Sequence, residues 1–448
     1  MSDDLLALAV QVADQAQSGE HIEAYVARSR DTSVRVYEGE LEHLTSAQSE
    51  GIGIRVVRDG RTGFAYAGAL DSEALRDALA DARDNVAFGT RDEWAGVTEP
   101  DGVALPDLDL WSDALADAAT DDKVDAATRL ERAALALDPR IRIEAATYAD
   151  QLSEVAVATS TGIRTMGRDA GCYVTIDALA DQDGETQSGY GWSVGRSPDE
   201  LDVERAAADA VRRTLEQLGA TKPASRRVTV VFDTFVTSQL LSVLSSTLTG
   251  DAVLKGRSLF AERLGEDVAS PLLTLVDDAT NPAAFTASPL DAEGLATRRN
   301  VLIEGGILKQ FVHSSYSGRR SGAASTGNAT RAGFKGTPGC GCLALSLVPG
   351  TRSQADLIAG VDDGVFVTMV SGLHSGVNPV SGDFSTGATG RVIRRGVLAE
   401  PIREFTIAST IQRMLKDIAE VGGDIDWLPM RAAGVTLVVD DVTMSGAG

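Results

Sequence analysis

From residue 228 onward the chain cannot run far in one direction, because glycine interrupts it repeatedly. The stretches between the interruptions, at 228–232, 298–303, 307–313, 364–369, 390–393 and 435–439, are short and rich in β-branched and apolar residues. Short strands joined by glycine turns favour antiparallel pairing, since a parallel pair needs a long crossover. Two helices are expected among them, at 236–248 and about 407–421. In the first, Leu240, Leu244 and Leu248 recur every fourth residue on an otherwise hydroxyl-rich helix, the pattern of one face packed on a core.

Before residue 221 the texture differs, with strand and helix signals alternating. Residues 21–27, 33–37 and 51–57 read as strands, and Asp59-Gly60 as a hairpin turn leading into 64–67. Helices are expected from an Asp71 cap to about residue 87, at 121–137 and at 198–218, with strands at 141–148, 154–159 and 171–177. At 448 residues the chain exceeds one ordinary domain. The short, polar, Pro-containing stretch 221–227 is the natural linker between residues 1–220 and 228–448. The expected class is α+β, an N-terminal mixed α/β domain followed by a mainly antiparallel barrel-like C-terminal domain.

Charge and termini narrow the function. A formal charge of −24 with no Lys/Arg run argues against direct nucleic-acid binding. The N-terminus is acidic where a signal peptide would be basic, with a helical stripe of Leu5, Leu8, Ala9, Val12, Ala13 and Ala16 behind it. No apolar run approaches the roughly 20 residues that span a bilayer. Three cysteines, Cys172, Cys340 and Cys342, do not make a disulfide framework. A cytoplasmic protein without membrane contact is expected.

Few motifs carry chemistry. Residues 189–195, Gly-Tyr-Gly-Trp-Ser-Val-Gly, approximate a dinucleotide fingerprint, but the last glycine is one position late and a polar loop at 181–188 precedes it. A glycine-rich β-segment is the better reading. Cys340-Gly341-Cys342 is too closely spaced for the usual metal clasp. The four histidines, His21, His43, His313 and His374, never pair at helical spacing. Two stretches combine glycines with hydroxyls and amides. One contains Ser325, Thr326 and Asn328, the other His374, Ser375, Asn378, Ser381 and Asp383. Each is equally readable as tight turns at a barrel end or as a peptide or subunit interface. A Ser or Thr nucleophile there is disfavoured, since His374 is the only nearby base.

The segments Arg55-Val56-Val57-Arg58-Asp59-Gly60-Arg61-Thr62-Gly63-Phe64-Ala65-Tyr66, Asp291-Ala292-Glu293-Gly294, Ile303-Glu304-Gly305-Gly306-Ile307-Leu308, Ser325-Thr326-Gly327-Asn328-Ala329 and residues 374–385 resemble the PmbA (TldE) branch of the TldD/PmbA family, in order and over nearly the whole chain. In the zinc-protease branch, a helix just before a Gly-Asp carries His-Glu-x-x-x-His. Counting back from Gly250-Asp251 puts Leu241, Ser242 and Ser246 at those positions. That branch also draws a cysteine ligand from near its C-terminus, and no cysteine follows Cys342. The resemblance therefore implies a subunit with no catalytic residue and no cofactor of its own. Zinc would belong to a TldD-type partner in a heteromer acting on flexible or unfolded peptides, with a homodimer forming when the chain is alone. The family's older label, modulator of DNA gyrase, fits an indirect effect. Two alternatives stay open: a stand-alone hydrolase with an unrecognised nucleophile or metal site, and a peptide-binding regulator without a protease partner.

Overall fold

Strand parity organises the first half of the protein. The structure, a computed structural model, describes residues 2–446. Six strands, β1 (Glu20–Tyr37), β2 (Glu40–Arg58), β3 (Arg61–Ala67), β4 (Ile141–Thr159), β5 (Arg164–Gln182) and β6 (Glu185–Gly195), form an antiparallel sheet in the order β3-β2-β1-β4-β5-β6. Side chains alternate between its faces. One face carries Ile22, Ala24, Ile54 and Val56, packed under helices α1 (Ser2–Ala13) and α2 (Ser72–Asn85). Farther along, the same face presents Val34, Tyr148 and Val174 to the short α3 (Asp113–Asp117), α4 (Thr120–Leu137) and α5 (Val203–Leu215). Asp71 caps α2 as expected, accepting from the backbone N–H groups of Glu73 and Ala74.

The strands are longer than their apolar cores suggested. Residues 28–32 and 40–50 extend β1 and β2 although they are polar, because their backbone groups pair across the ladder and Arg28 bonds to Glu50 at 3.1 Å. The segments 141–148 and 154–159 likewise form one strand. Asp59-Gly60 turns between β2 and β3 with both φ angles positive, as the hairpin reading requires. The expected polar loop at 181–188 is instead a second such hairpin, turning at Asp183-Gly184. Gly189 and Gly191 are strand residues. A Cβ on Gly191 would lie 1.9 Å from the Ala206 carbonyl oxygen, so these glycines admit α5 and serve no nucleotide.

In the second half, β7 (Arg226–Phe232) runs parallel to Asp363–Ser371 and antiparallel to Leu437–Ser445. Asp383–Arg394 and Val397–Thr410 continue the sheet, and Thr406–Ala408 pair back onto residues 443–445. Five strands thus close into a barrel. The helix expected at 407–421 is only Ile411–Lys416, because residues up to Thr410 are held in the ladder by Asp383–Arg394. Helix α6 (Thr234–Ser245) shares the barrel core, with Val236, Leu241 and Leu244 clustered with Val230, Val367, Ile407 and Val439. A smaller antiparallel sheet joins Leu275–Asp278, Arg299–Glu304, Ile307–Leu308 and Leu345–Leu347. No helix among the described residues is long and apolar enough to cross a membrane.

The opposite face of the first sheet is covered by the second half of the chain. Tyr25, Val155 and Val157 pack against Leu290, Leu295 and Phe334. At the centre lies a buried cluster of four charges. Arg55 donates to Glu23 at 2.5 Å and stands 3.7 Å from Glu293, while Arg331 also pairs with Glu23 and lies 4.4 Å over the Tyr25 ring. Glu293 accepts in addition from the Ser315 backbone N–H at 2.8 Å. Burial alone would raise the Glu23 carboxyl, but Arg55 and Arg331 outweigh it and hold it below its ordinary value.

Removing one member of such a cluster strands a buried opposite charge. Arg55→Met should therefore lower the unfolding free energy by ~3–5 kcal/mol in urea titrations. Arg394→Ala, which deletes only an exposed pair with Glu400, should change it by less than ~1 kcal/mol.

Candidate functional site

Helix α6 begins where the two halves meet. Its cap, Asp233, accepts from the Phe235 N–H at 3.0 Å and faces the Arg213 guanidinium of α5 at 4.0 Å. Burial pushes the Asp233 carboxyl up, with Arg213 opposing. Arg213 in turn lies 4.8 Å from the ring centres of both Tyr190 and Trp192, and Phe235 packs on the same two rings. The first turn of α6 is therefore clamped to β6 and α5. Sequence reading missed this joint; the aromatic residues between the glycines at 189–195 were its signal.

Along the helix the hydroxyls turn inward on the backbone. Ser238, Ser242, Ser245 and Ser246 donate to the carbonyls of Phe235, Ser238, Ser242 and Val243 at 2.7–2.9 Å. Leu241 is buried in the barrel core, whereas Ser242 and Ser246 are exposed, one turn apart on the same side. A buried leucine and two back-bonded hydroxyls do not fit zinc, which takes imidazole, thiolate or carboxylate. No group of three His, Cys, Asp or Glu among the described residues is placed to hold a metal.

Beyond α6, Thr249 caps the short α7 (Gly250–Leu254), and Gly250 leaves room for the buried His313; a Cβ there would meet its Nδ1 at 2.2 Å. The Cys340 thiol donates to the Val312 carbonyl at 3.2 Å. Burial pushes Cys340 up to about 12 and Cys342 well above its usual value, so neither is a ready nucleophile or ligand.

The two glycine-rich stretches go to different places. His374 and Ser375 sit on the one-turn helix Leu373–Gly376, and Asn378 closes the following turn by accepting from the Val380 and Ser381 N–H groups at 2.9 and 3.2 Å. Ser381 donates to Asp383 at 2.7 Å. Gly382, with φ 85°, sits so close to Gln412 that a Cβ would overlap its Oε1. All five of the candidate residues in this loop are exposed. Beneath it Val377 and Phe384 join Leu240 and Val243 of α6 around an apolar cavity of ≈ 60 Å³, so the loop and α6 share one end of the barrel.

Ser325, Thr326 and Asn328 lie elsewhere. Ser325 borders a groove of ≈ 450 Å³ between the two halves, with His21, Glu99 and Arg319. Thr326 donates to the Asn328 amide oxygen at 2.7 Å, and Asn328, fully buried, donates to Asp277 at 2.6 Å and accepts from Asn300 at 2.9 Å. Asn328 ties strands together and offers nothing to a ligand.

Three family descriptions match the sequence in order: PmbA/TldA metallopeptidase domain 1 over residues 22–86, the central domain over 113–218 and the C-terminal domain over 225–446. The chain is 28% identical to Metalloprotease PmbA of Escherichia coli O157:H7, across 94% of this chain and 92% of that one. It is 26% identical to a Metalloprotease TldD homolog of Buchnera aphidicola, across 84% and 79%. Its fold is similar to the crystal structure of TldE from Thermococcus kodakarensis, with a TM-score of 0.90, 24% identity and 99% of each chain covered.

Thiols held this far up are almost wholly protonated at pH 8. In native protein at that pH, Cys340 should alkylate with iodoacetamide roughly a thousandfold more slowly than free cysteine and Cys342 should also be strongly protected, both reacting at the ordinary rate in urea. Peptide mass spectrometry over a time course reads both.

Proposed function

The chain belongs to the TldD/PmbA metallopeptidase family, and on that premise we propose that it is the subunit without a metal centre in a two-subunit zinc protease. Its partner is a TldD-type chain that carries the zinc. Together they enclose a chamber in the cytoplasm where flexible peptides are cut and folded domains are shut out. The observation that carries this reading is α6, where the resemblance puts metal ligands and the chain has Leu241, Ser242 and Ser246 with their hydroxyls bonded to the helix itself. The exposed loop from His374 to Asp383 lies at the same barrel end and is the surface assigned to peptide or partner. Clamped by Asp233 and Arg213, α6 is a rigid wall for such a chamber.

Purified chain should hold well below one equivalent of zinc after dialysis, because no strong ligand set stands at the family's metal positions. It should leave unstructured peptides intact alone and support chelator-sensitive cleavage once a TldD-type subunit is added. Stoichiometric, dialysis-resistant metal, or turnover by the repurified chain that survives chelation, would overturn the reading.

The loop can be tested without unfolding it. Asn378 is a poor probe because its side chain builds the turn. His374→Ala and Asp383→Ala remove exposed groups and should shift the thermal midpoint by no more than ~2 °C. Partner-dependent cleavage should fall at least about fivefold; unchanged cleavage in both variants would remove the loop from the site.

A further inference from the structure

A further cavity, of ≈ 170 Å³, lies where the second half covers the first sheet. Tyr25, Val155 and Asp169 line it from β1, β4 and β5, and Leu290, Asp291, Arg331 and Arg431 from the other side. It shares no residue with the cavity beside α6 or the groove at Ser325. At about the liquid volume of six waters it is too small for a drug-sized molecule and suits one amino-acid residue.

Its polar groups are unusual in having nothing to bond. The Arg331 side chain is 1% exposed; Nη2 pairs with Glu23, while Nε and Nη1 have no hydrogen-bond partner among the described residues. Arg431, exposed at the rim, has neither a carboxylate nor a hydrogen-bond acceptor among them, in a chain of net charge −24. The Tyr25 hydroxyl and the Asp169 carboxyl make no hydrogen bond among them either. Burial raises the Tyr25 phenol, Arg331 opposes and Asp169 adds to the rise, so these three groups feel one another. Burial also pushes Asp169 up to about 6, with Arg196 opposing. Asp291 is different. Its two oxygens already accept from the backbone N–H groups of Glu293, Leu295 and Ala329 at 2.9–3.1 Å. Buried polar groups are ordinarily satisfied, so unpaired donors and an unpaired carboxylate around one cavity describe what would fill it.

We propose that this cavity binds an α-amino-acid carboxylate, either a free amino acid or the last residue of a peptide. The carboxylate is taken by Arg431 and the Tyr25 hydroxyl with the Arg331 charge behind them, the α-nitrogen donates to Asp169, and the side chain meets Val155 and Leu290. The donor set demands both ends of the ligand: a bare anion would leave Asp169 unpaired beside it, and a bare cation would face two guanidiniums. Binding is read on this chain alone and away from α6, so its failure leaves the two-subunit reading standing.

Isothermal titration calorimetry on the full chain at pH 8, with L-leucine, N-acetyl-L-leucine and N-acetyl-L-leucinamide, tests it. At least one of the two carboxylates should bind with Kd below ~10 mM, and the amide at least about tenfold more weakly. Tighter binding of N-acetyl-L-leucine identifies a peptide's last residue as the source, and tighter binding of L-leucine a free amino acid; either upholds the site. Arg431→Gln should weaken the carboxylates about tenfold and leave the thermal midpoint unchanged, since its side chain is exposed and unpaired. Asp169→Asn should weaken L-leucine, whose ammonium it faces, more than N-acetyl-L-leucine. No binding of any probe, an amide that binds as well as the acids, or unaltered affinities in either variant would overturn the proposal and leave the cavity to solvent.

Discussion

The four charges Glu23, Arg55, Arg331 and Glu293 set the geometry on which the rest of the protein depends. Two belong to the first sheet and two to the second half, and every one of them is at least nine-tenths buried. An isolated charge there would be prohibitively costly, so the halves have one relative position in which all four are paired. That position puts Phe334 against Gly51 and Gly53, where a side chain of any size would collide with its ring or carbonyl. It also brings Arg213 to the cap of α6. The helix wall, the groove beside Ser325 and the covered sheet face all follow from that docking.

Local signals in the sequence were reliable where a single mechanism decided the outcome. The Asp71 cap, the Asp59-Gly60 turn and the β-character of residues 189–195 each rest on a steric or hydrogen-bonding rule that neighbours do not override, whereas α6 ends at Ser245, leaving Leu248 of the expected stripe beyond the helix, and buries Leu241 beside Leu244. Other elements depended on distant partners. Residues 40–50 are polar and alternate weakly, yet the ladder to β1 makes them strand. Residues 407–410 follow a helical apolar rhythm, yet Asp383–Arg394 captures them first. Tertiary pairing overrode propensity in both.

The candidate site divides along the same line. Leu241, Ser242 and Ser246 are informative through what they lack, and only the family resemblance marks the positions where ligands would stand. The role of Asn328 was invisible, because its partners Asp277 and Asn300 come from strands roughly 30 to 50 residues away. Glu23 and Arg55 likewise carry no local signal of burial in the sequence. Only the second half of the chain, laid over that face, turns them into a buried pair.

The barrel has a consequence for the order of events during synthesis. Its first strand, β7, lies between Asp363–Ser371 and Leu437–Ser445, and both neighbours are made more than 130 residues later. The first sheet, whose adjacent strands are joined mostly by tight hairpins, can assemble while the ribosome is still adding the remainder. β7 and α6 cannot, and their apolar faces must wait for the last strand to emerge. The barrel is thus a late, cooperative step closed by residues 437–445, and a nascent chain stalled before residue 437 would present a finished sheet tethered to an unclosed, aggregation-prone remainder.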